Sequence, residues 1–123
     1  MNVISVVDDD ASVRLATVDL LNSHGFACEA YASAEEYLAS PRTAHTPCLI
    51  LDIHLPGLNG LELQRQLAQT GRPPAIIFIT AFPEERTRTQ AMSAGANGFL
   101  PKPYSEEELL LCIRQALGYP SGQ

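Results

Sequence analysis

Five polar residues stand directly behind short apolar segments of the chain. They are Asp8, Asp9, Asp52, Thr80 and Lys102. Three carboxylates that lie close together repel one another and raise one another's pKa unless a cation is present. Oxygen ligands of this kind suit Mg²⁺, and a nearby ammonium and hydroxyl would offer positive charge and a hydrogen bond to phosphoryl oxygens. One carboxylate could then act as a nucleophile and form an acyl phosphate.

Lys102 is the only lysine among the 123 residues, and it stands between Pro101 and Pro103. A free lysine side chain is flexible, so holding it on a ligand costs conformational entropy. Pro101 has a fixed φ angle, and Pro103 restricts the residue before it to extended backbone. The sequence therefore predicts a lysine that is directed at one target.

The segments that precede these polar residues are typical of buried parallel strands. Strands are predicted at 2–7, 26–31, 48–52, 75–80 and 98–101. Helical patterns between and after them span 11–24, 34–40, 58–70, 83–94 and 105–117. Five βα units predict an α/β fold: a doubly wound, five-stranded parallel sheet with helices on both faces. Because the carboxyl ends of such strands share one edge, the five polar residues should meet there.

Residues at the predicted helix starts support these boundaries. The capping-box pattern S-x-x-E occurs twice, at Ser33 with Glu36 and at Ser105 with Glu108. Asp10 is expected to cap the first helix rather than to join the acidic site. Pro83 is expected at the first position of the fourth helix.

Composition excludes some classes of function. The net charge is −6 and the arginines are scattered, which argues against direct nucleic-acid binding. No apolar run could span a membrane, and the first residues lack a secretion-signal pattern, so a cytoplasmic location is expected. Cys28, Cys48 and Cys112 have no metal-ligand spacing and are expected to be buried free thiols. The length predicts one domain at 1–118, followed by a tail, or the start of a linker to an absent output domain, at 119–123.

Four motifs, taken in order, resemble the receiver domain of two-component response regulators. They are VVDDD at 6–10, LILDIHLPGLNG at 49–60, FITA at 78–81 and GFLPKPY at 98–104. The resemblance covers essentially the whole chain, and SAEEYL at 33–38 is similar to receivers of nitrogen-fixation-type transcription regulators. It implies a flavodoxin-like sheet with strand order 2-1-3-4-5 and a Mg²⁺ cofactor.

The resemblance also implies a role for each acidic site residue. Asp52 matches the phosphoacceptor. Asp9 matches the direct Mg²⁺ ligand of the acidic pair, while Asp8 would act mainly through water. His54 matches the position that supplies a backbone carbonyl to the metal, although its imidazole is an alternative ligand.

Further matching residues complete the expected site. Thr80 matches the hydroxyl that binds the phosphoryl group, and Lys102 matches the lysine that contacts it, with the Lys102–Pro103 bond cis. Phe99 matches a switch aromatic, with simple packing as the alternative. Pro56 and Gly60 match the turn after the acceptor strand.

Two positions in the family flank the approach of water to the phosphoryl group. In this chain they are His54 and Phe82, which are therefore expected to tune the lifetime of the acyl phosphate.

The resemblance implies a phosphorylation-dependent switch. A sensor histidine kinase would donate to Asp52, and the face formed by 83–94, 98–101 and 105–117 would change and form a homodimer that controls an output such as transcription. The domain would catalyse only its own phosphotransfer and slow dephosphorylation, and would not be an enzyme otherwise.

Two alternatives remain open. A phosphatase of the haloacid-dehalogenase type uses similar residues, but it places its nucleophile after the first strand. A pseudo-receiver would bind partners without being phosphorylated, which the complete set of site residues disfavours.

Overall fold

The computed structural model describes residues 3–118, which form one sheet with helices on both sides. The strands are β1 (Val3–Val7), β2 (Ala27–Tyr31), β3 (Cys48–Asp52), β4 (Ala75–Thr80) and β5 (Gly98–Pro101). The helices are α1 (Ala11–Ser23), α2 (Ala34–Leu38), α3 (Gly60–Ala68), α4 (Glu85–Ser93) and α5 (Glu106–Ala116). A 3₁₀ helix at Pro41–Ala44, which the sequence patterns did not predict, precedes β3. The predicted tail at 119–123 lies outside the described residues.

All strand pairs are parallel, and the strand order is β2-β1-β3-β4-β5. The predicted flavodoxin-like fold is confirmed. β1 and β3 are adjacent, so residues that follow them lie side by side at the carboxyl edge of the sheet. None of the helices within residues 3–118 has the length and apolar composition needed to cross a membrane.

Alternate residues of the central strands form two separate cores, one on each face of the sheet. Val7, Leu49, Leu51 and Phe78 pack toward α2, α3 and α4. Ile4, Val6, Ile50 and Ile77 pack toward α1 and α5. Because successive side chains of a strand point to opposite faces, a strand that is covered on both faces must be continuously apolar. This requirement explains why β1, β3 and β4 are easy to recognise in the sequence.

The helix caps differ in part from those predicted. Asp10 caps α1 by accepting bonds from the backbone of Ser12 and Val13, as expected. Ser33 and Ser105 also cap their helices. Among residues 3–118, neither serine is part of a full box: Glu36 accepts from the Ala32 amide rather than from Ser33, and at Ser105 only the bond from the Glu108 amide to the serine side chain is formed. The full capping box is formed by Asn59 and Glu62 at the start of α3.

Two further predictions need correction. Pro83 is not the first residue of α4, because Glu84 is an extended N-cap residue and the helix begins at Glu85. The three cysteines are free, but only Cys48 is fully buried, whereas Cys28 and Cys112 are half-buried. Burial, with a smaller contribution from Cys112, raises the pKa of Cys48 to about 12, so this thiol is unreactive at neutral pH.

Candidate functional site

The carboxylates of Asp8, Asp9 and Asp52 meet at the carboxyl edge of the sheet. One oxygen from each lies within 4.8 Å of the others. Asp8 follows β1 and Asp52 ends β3, and the pairing of Val7 with Leu51 places the two acids next to each other. Asp8 and Asp52 are buried, whereas Asp9 is exposed. The expected acidic cluster is therefore formed.

Asp8 is held in place through several of its atoms. Its backbone amide donates to the carbonyl of Tyr31 at 3.1 Å, and Oδ1 accepts from the amide of Asp10 at 2.9 Å. Arg14 Nη1 donates to the Asp8 carbonyl at 2.6 Å. Such contacts fix Asp8 before any ligand arrives, while the exposed Asp9 carboxylate lies at the open side of the site.

Lys102 is the internal counter-ion of this cluster. Its Nζ lies 2.9 Å from Asp8 Oδ2 and 3.0 Å from Asp52 Oδ2. Burial alone would lower the pKa of Lys102, but the contacts with Asp8 and Asp52 outweigh it and raise this pKa above its ordinary value. The Lys102 amide donates to the Thr80 carbonyl at 2.7 Å, and the Lys102–Pro103 bond is cis, as predicted. The chain between the prolines thus directs the ammonium at the two buried acids.

Asp52 is only 4% exposed and uses both of its carboxylate oxygens. Oδ1 accepts from the amide of His54 at 3.1 Å, and Oδ2 accepts from Lys102. Burial raises the pKa of Asp52, although Lys102 and the His54 amide oppose this shift. Gly60 packs against the backbone of Asp52 so closely that a Cβ at position 60 would lie 2.4 Å from the Asp52 carbonyl oxygen.

Thr80 is the last residue of β4, which pairs with β3, and Phe82 follows two residues later. The Thr80 hydroxyl is buried and accepts a bond from the Phe82 amide at 3.0 Å, so its own hydrogen is available for another acceptor. The Phe82 ring meets the His54 ring edge to face, with centroids 5.4 Å apart. His54 and Phe82, which are expected to tune the lifetime of the acyl phosphate, therefore contact each other. His54 comes from the loop after β3 and Phe82 from the loop after β4.

Not every predicted residue belongs to this group. Phe99 lies within β5, opposite Phe78, and is half-buried against the core on the α2–α3–α4 face. Pro56 is exposed in the loop between β3 and α3. Their expected roles remain predictions, as do the roles of the individual site residues.

The donor set fits a hard divalent cation. The three carboxylates offer only oxygen ligands, as Mg²⁺ prefers. Asp8 Oδ2 is fully buried and, among residues 3–118, its contact is the ion pair with Lys102 Nζ at 2.9 Å rather than a hydrogen bond that meets the geometric criteria. A buried carboxylate oxygen with free lone pairs is suited to a metal or its bound water.

Two contacts were not predicted. Arg14 supports the carbonyl of Asp8, and Tyr104 shares a hydrogen bond with Thr17 of α1 just behind Lys102. Arg14 lies one helical turn after the cap residue Asp10, so its position near the strand end could have been inferred from the spacing. The contact between Tyr104 and Thr17 joins distant segments and leaves no local signal.

Comparisons with known proteins give a consistent result. Residues 4–114 match the family model described as the response regulator receiver domain. The response regulator protein TodT of Pseudomonas putida is 40% identical over 116 residues, which are 94% of this chain and 51% of TodT. The transcriptional regulatory protein FixJ of Azorhizobium caulinodans is 32% identical, over 98% of this chain and 57% of FixJ. The chain thus spans about half the length of the relatives it matches.

Solved structures agree with the sequence relatives. The response regulator StyR has a TM-score of 0.87 at 43% identity, over 95% of this chain and 59% of StyR. The structure described as FixJ-N has a TM-score of 0.86 at 28% identity, over 100% of this chain and 98% of its own. The strand order, the acidic cluster at the strand ends and these matches agree. The chain belongs to the receiver-domain family of two-component response regulators.

Proposed function

We propose that this receiver domain is a switch that accepts a phosphoryl group on Asp52 from the phosphohistidine of a sensor histidine kinase. The observation that carries the proposal is the position of Lys102, whose ammonium lies between Asp8 and Asp52 beside the third carboxylate. Of the two acids that contact Lys102, Asp52 is the one that accepts a hydrogen bond from it and that ends a central strand, where a nucleophile has a fixed orientation.

In the transfer step, a carboxylate oxygen of Asp52 forms a bond to phosphorus while the bond from phosphorus to the donor's imidazole nitrogen breaks. The electron pair of that bond stays on the leaving imidazole. Because Lys102 Nζ is 3.0 Å from Asp52 Oδ2, a phosphoryl group on this carboxylate arrives next to the ammonium. The Thr80 hydroxyl, which already accepts from Phe82, donates its hydrogen to a phosphoryl oxygen.

A Mg²⁺ ion would be held by Asp9 and Asp52, with Asp8 acting through water and the His54 carbonyl as a further ligand. When bound, it neutralises charge on the carboxylates and the transferring group. The chain's own contribution is the fixed placement of Asp8 by Asp10 and Arg14, which prevents the acids from moving apart.

Phosphorylation would act on an output outside this chain. Phe99 of β5 precedes Lys102 by three residues and packs against the core that includes Ala91 of α4, so changes at the lysine can reach the face formed by α4, β5 and α5. We propose that this face forms a homodimer after phosphorylation and controls transcription through a further domain, with no direct contact between the receiver and DNA. The three free cysteines suit a cytoplasmic location. Beyond its own phosphotransfer and slow dephosphorylation, the domain is not an enzyme.

The test uses acetyl phosphate and Mg²⁺ with intact-protein mass spectrometry. The wild type should gain one phosphoryl group, and Asp52→Ala should gain none at that site. Asp19→Ala, which removes an exposed carboxylate on α1, is the control and should behave as the wild type. Labelling of Asp52→Ala at the wild-type rate would overturn the assignment, and steady hydrolysis of a small phosphate ester would favour a phosphatase.

A further inference from the structure

Glu35, in the first turn of α2, contacts the loop that follows Asp52. Its Oε2 accepts a hydrogen bond from the Leu58 amide at 2.8 Å. The same carboxylate lies against Gly57, where a Cβ would be 2.7 Å from Oε2. Gly57 has φ of +74°, a conformation that glycine adopts without strain. The loop backbone and the Glu35 carboxylate therefore fit closely together.

This contact differs from the other polar contacts of the loop. Among residues 54–59, as the structure describes them, the backbone amides that donate hydrogen bonds do so to acceptors within the segment 52–63, with one exception. The exception is the Leu58 amide, which donates to Glu35. Leu55 is buried and holds the middle of the loop by apolar packing. Glu35 adds a directional contact from a different element, which fixes the orientation of the peptide groups as packing alone does not.

We propose that Glu35 is a positioning residue for the metal site, which holds the loop of residues 53–59 so that the His54 backbone stays beside Asp52. The inference rests on the proposed function, because it concerns Mg²⁺ bound at Asp9, Asp52 and His54. Glu35 is not proposed as a ligand of the metal or of the phosphoryl group. It acts through Leu58 and Gly57, which follow His54 in the same loop.

The carboxylate acts as a hydrogen-bond acceptor rather than as a distant charge. The Leu58 amide lowers the pKa of Glu35, so this side chain is ionised at neutral pH and accepts fully. An amide oxygen at the same place can also accept from Leu58, whereas a methyl group cannot. Glu35→Gln should therefore keep the loop in place, and Glu35→Ala should release it.

Loss of the contact should appear as weaker metal binding. Residues that support a metal ligand from outside commonly change affinity by about tenfold or more when removed. We expect Glu35→Ala to bind Mg²⁺ about tenfold more weakly, while its phosphorylation rate at saturating Mg²⁺ returns to that of the wild type. A general loss of structure would instead lower the rate at every Mg²⁺ concentration.

The experiment compares the wild type with Glu35→Ala, Glu35→Gln and Glu36→Ala. Glu36 also lies in the first turn of α2, but its carboxylate accepts from the Ala32 amide rather than from the loop, so its removal tests α2 itself. Mg²⁺ affinity is measured by calorimetric titration without phosphodonor, and the Leu58 amide is followed by hydrogen exchange. Phosphorylation rates are then measured against Mg²⁺ concentration.

The expected result is weaker Mg²⁺ binding and faster Leu58 exchange in Glu35→Ala alone. Wild-type Mg²⁺ affinity in Glu35→Ala, or an equal loss in Glu36→Ala, would overturn the inference and leave the proposed function intact. Absence of Mg²⁺ binding by the wild type would overturn both.

Discussion

Single side chains around the acidic cluster differ sharply in exposure. Phe82 is 65% exposed, yet its ring rests edge to face on His54 above the loops that flank Asp52 and Thr80. An acyl phosphate is lost when water attacks phosphorus in line, and a bulky apolar ring beside that path excludes some of this water. The contact with His54 restricts the ring despite its exposure.

Phe82→Ala should therefore shorten the lifetime of the phosphorylated protein, by about two- to tenfold, which corresponds to a barrier change of up to about 1.4 kcal/mol. The measurement is the decay of phosphoprotein after the donor is removed. Leu15→Ala, which truncates an apolar residue on α1 that is also 65% exposed, is the control and should leave the decay unchanged. An unchanged or longer lifetime in Phe82→Ala would refute the shielding.

The residues that form the site could be predicted because each ends or directly follows a strand. The parallel sheet brings Asp8, Asp52, Thr80 and Lys102 to one edge, whatever the details of packing. The difference between buried Asp8 and exposed Asp9 was not predictable, since it depends on the bond of the Asp8 amide to the distant Tyr31 carbonyl and on the turn at Asp10. Contacts from a side chain to a distant backbone group, such as that of Glu35, leave no pattern in the sequence.

Among the elements, the junction of β3 and α3 leaves no room for a side chain at Gly60. Gly60 is the first residue of α3, and a Cβ there would lie 2.4 Å from the Asp52 carbonyl oxygen and 3.0 Å from Ile53 Cα. Both atoms belong to backbone, so the added group cannot be accommodated by a side-chain movement.

Gly60→Ala should destabilise the domain by about 1–3 kcal/mol, as is typical of overpacking. Helix propensity alone would predict the opposite, because alanine favours a helix by about 1 kcal/mol over glycine. Chemical denaturation measures the difference. Gly71→Ala is the matched control, since a Cβ at that exposed position meets nothing within 4 Å and should change stability little. Equal stability of Gly60→Ala and the wild type would show that the junction can relax.

Element boundaries were predictable where a strand is buried on both faces, and less so for short helices. The predicted bounds of β3, β4 and β5 are those of the structure. α2 has only five residues, and the 3₁₀ helix at Pro41–Ala44 follows it. Helices this short have weak periodicity, so their ends depend on tertiary contacts such as the bond from Thr43 to the Tyr37 carbonyl.

For the molecule as a whole, α4 and α5 carry net charges of opposite sign. Arg86 and Arg88 are exposed on α4, whereas Glu107 and Glu108 are exposed on α5. In a two-fold contact through this face, α4 of one copy can lie opposite α5 of the other, so that the charges attract.

We expect phosphorylation to convert the monomer to a dimer that weakens at high salt, because exposed ion pairs are screened. Analytical ultracentrifugation with acetyl phosphate and Mg²⁺ measures the change in mass. Asp52→Ala under the same conditions is the control and should not change. A wild-type monomer under confirmed phosphorylation would contradict this expectation.

The ion pair of Lys102 with Asp8 also has a consequence for the order in which the site is completed. These residues come from opposite ends of the described chain, yet their charged groups are 2.9 Å apart. During synthesis the three acids therefore exist before the lysine that neutralises two of them. Contacts between distant segments also close late, because they carry the largest loop-closure entropy. In a nascent chain that lacks β5, only cations from solution can neutralise these carboxylates. The finished chain supplies the ammonium of Lys102 as an internal counter-ion.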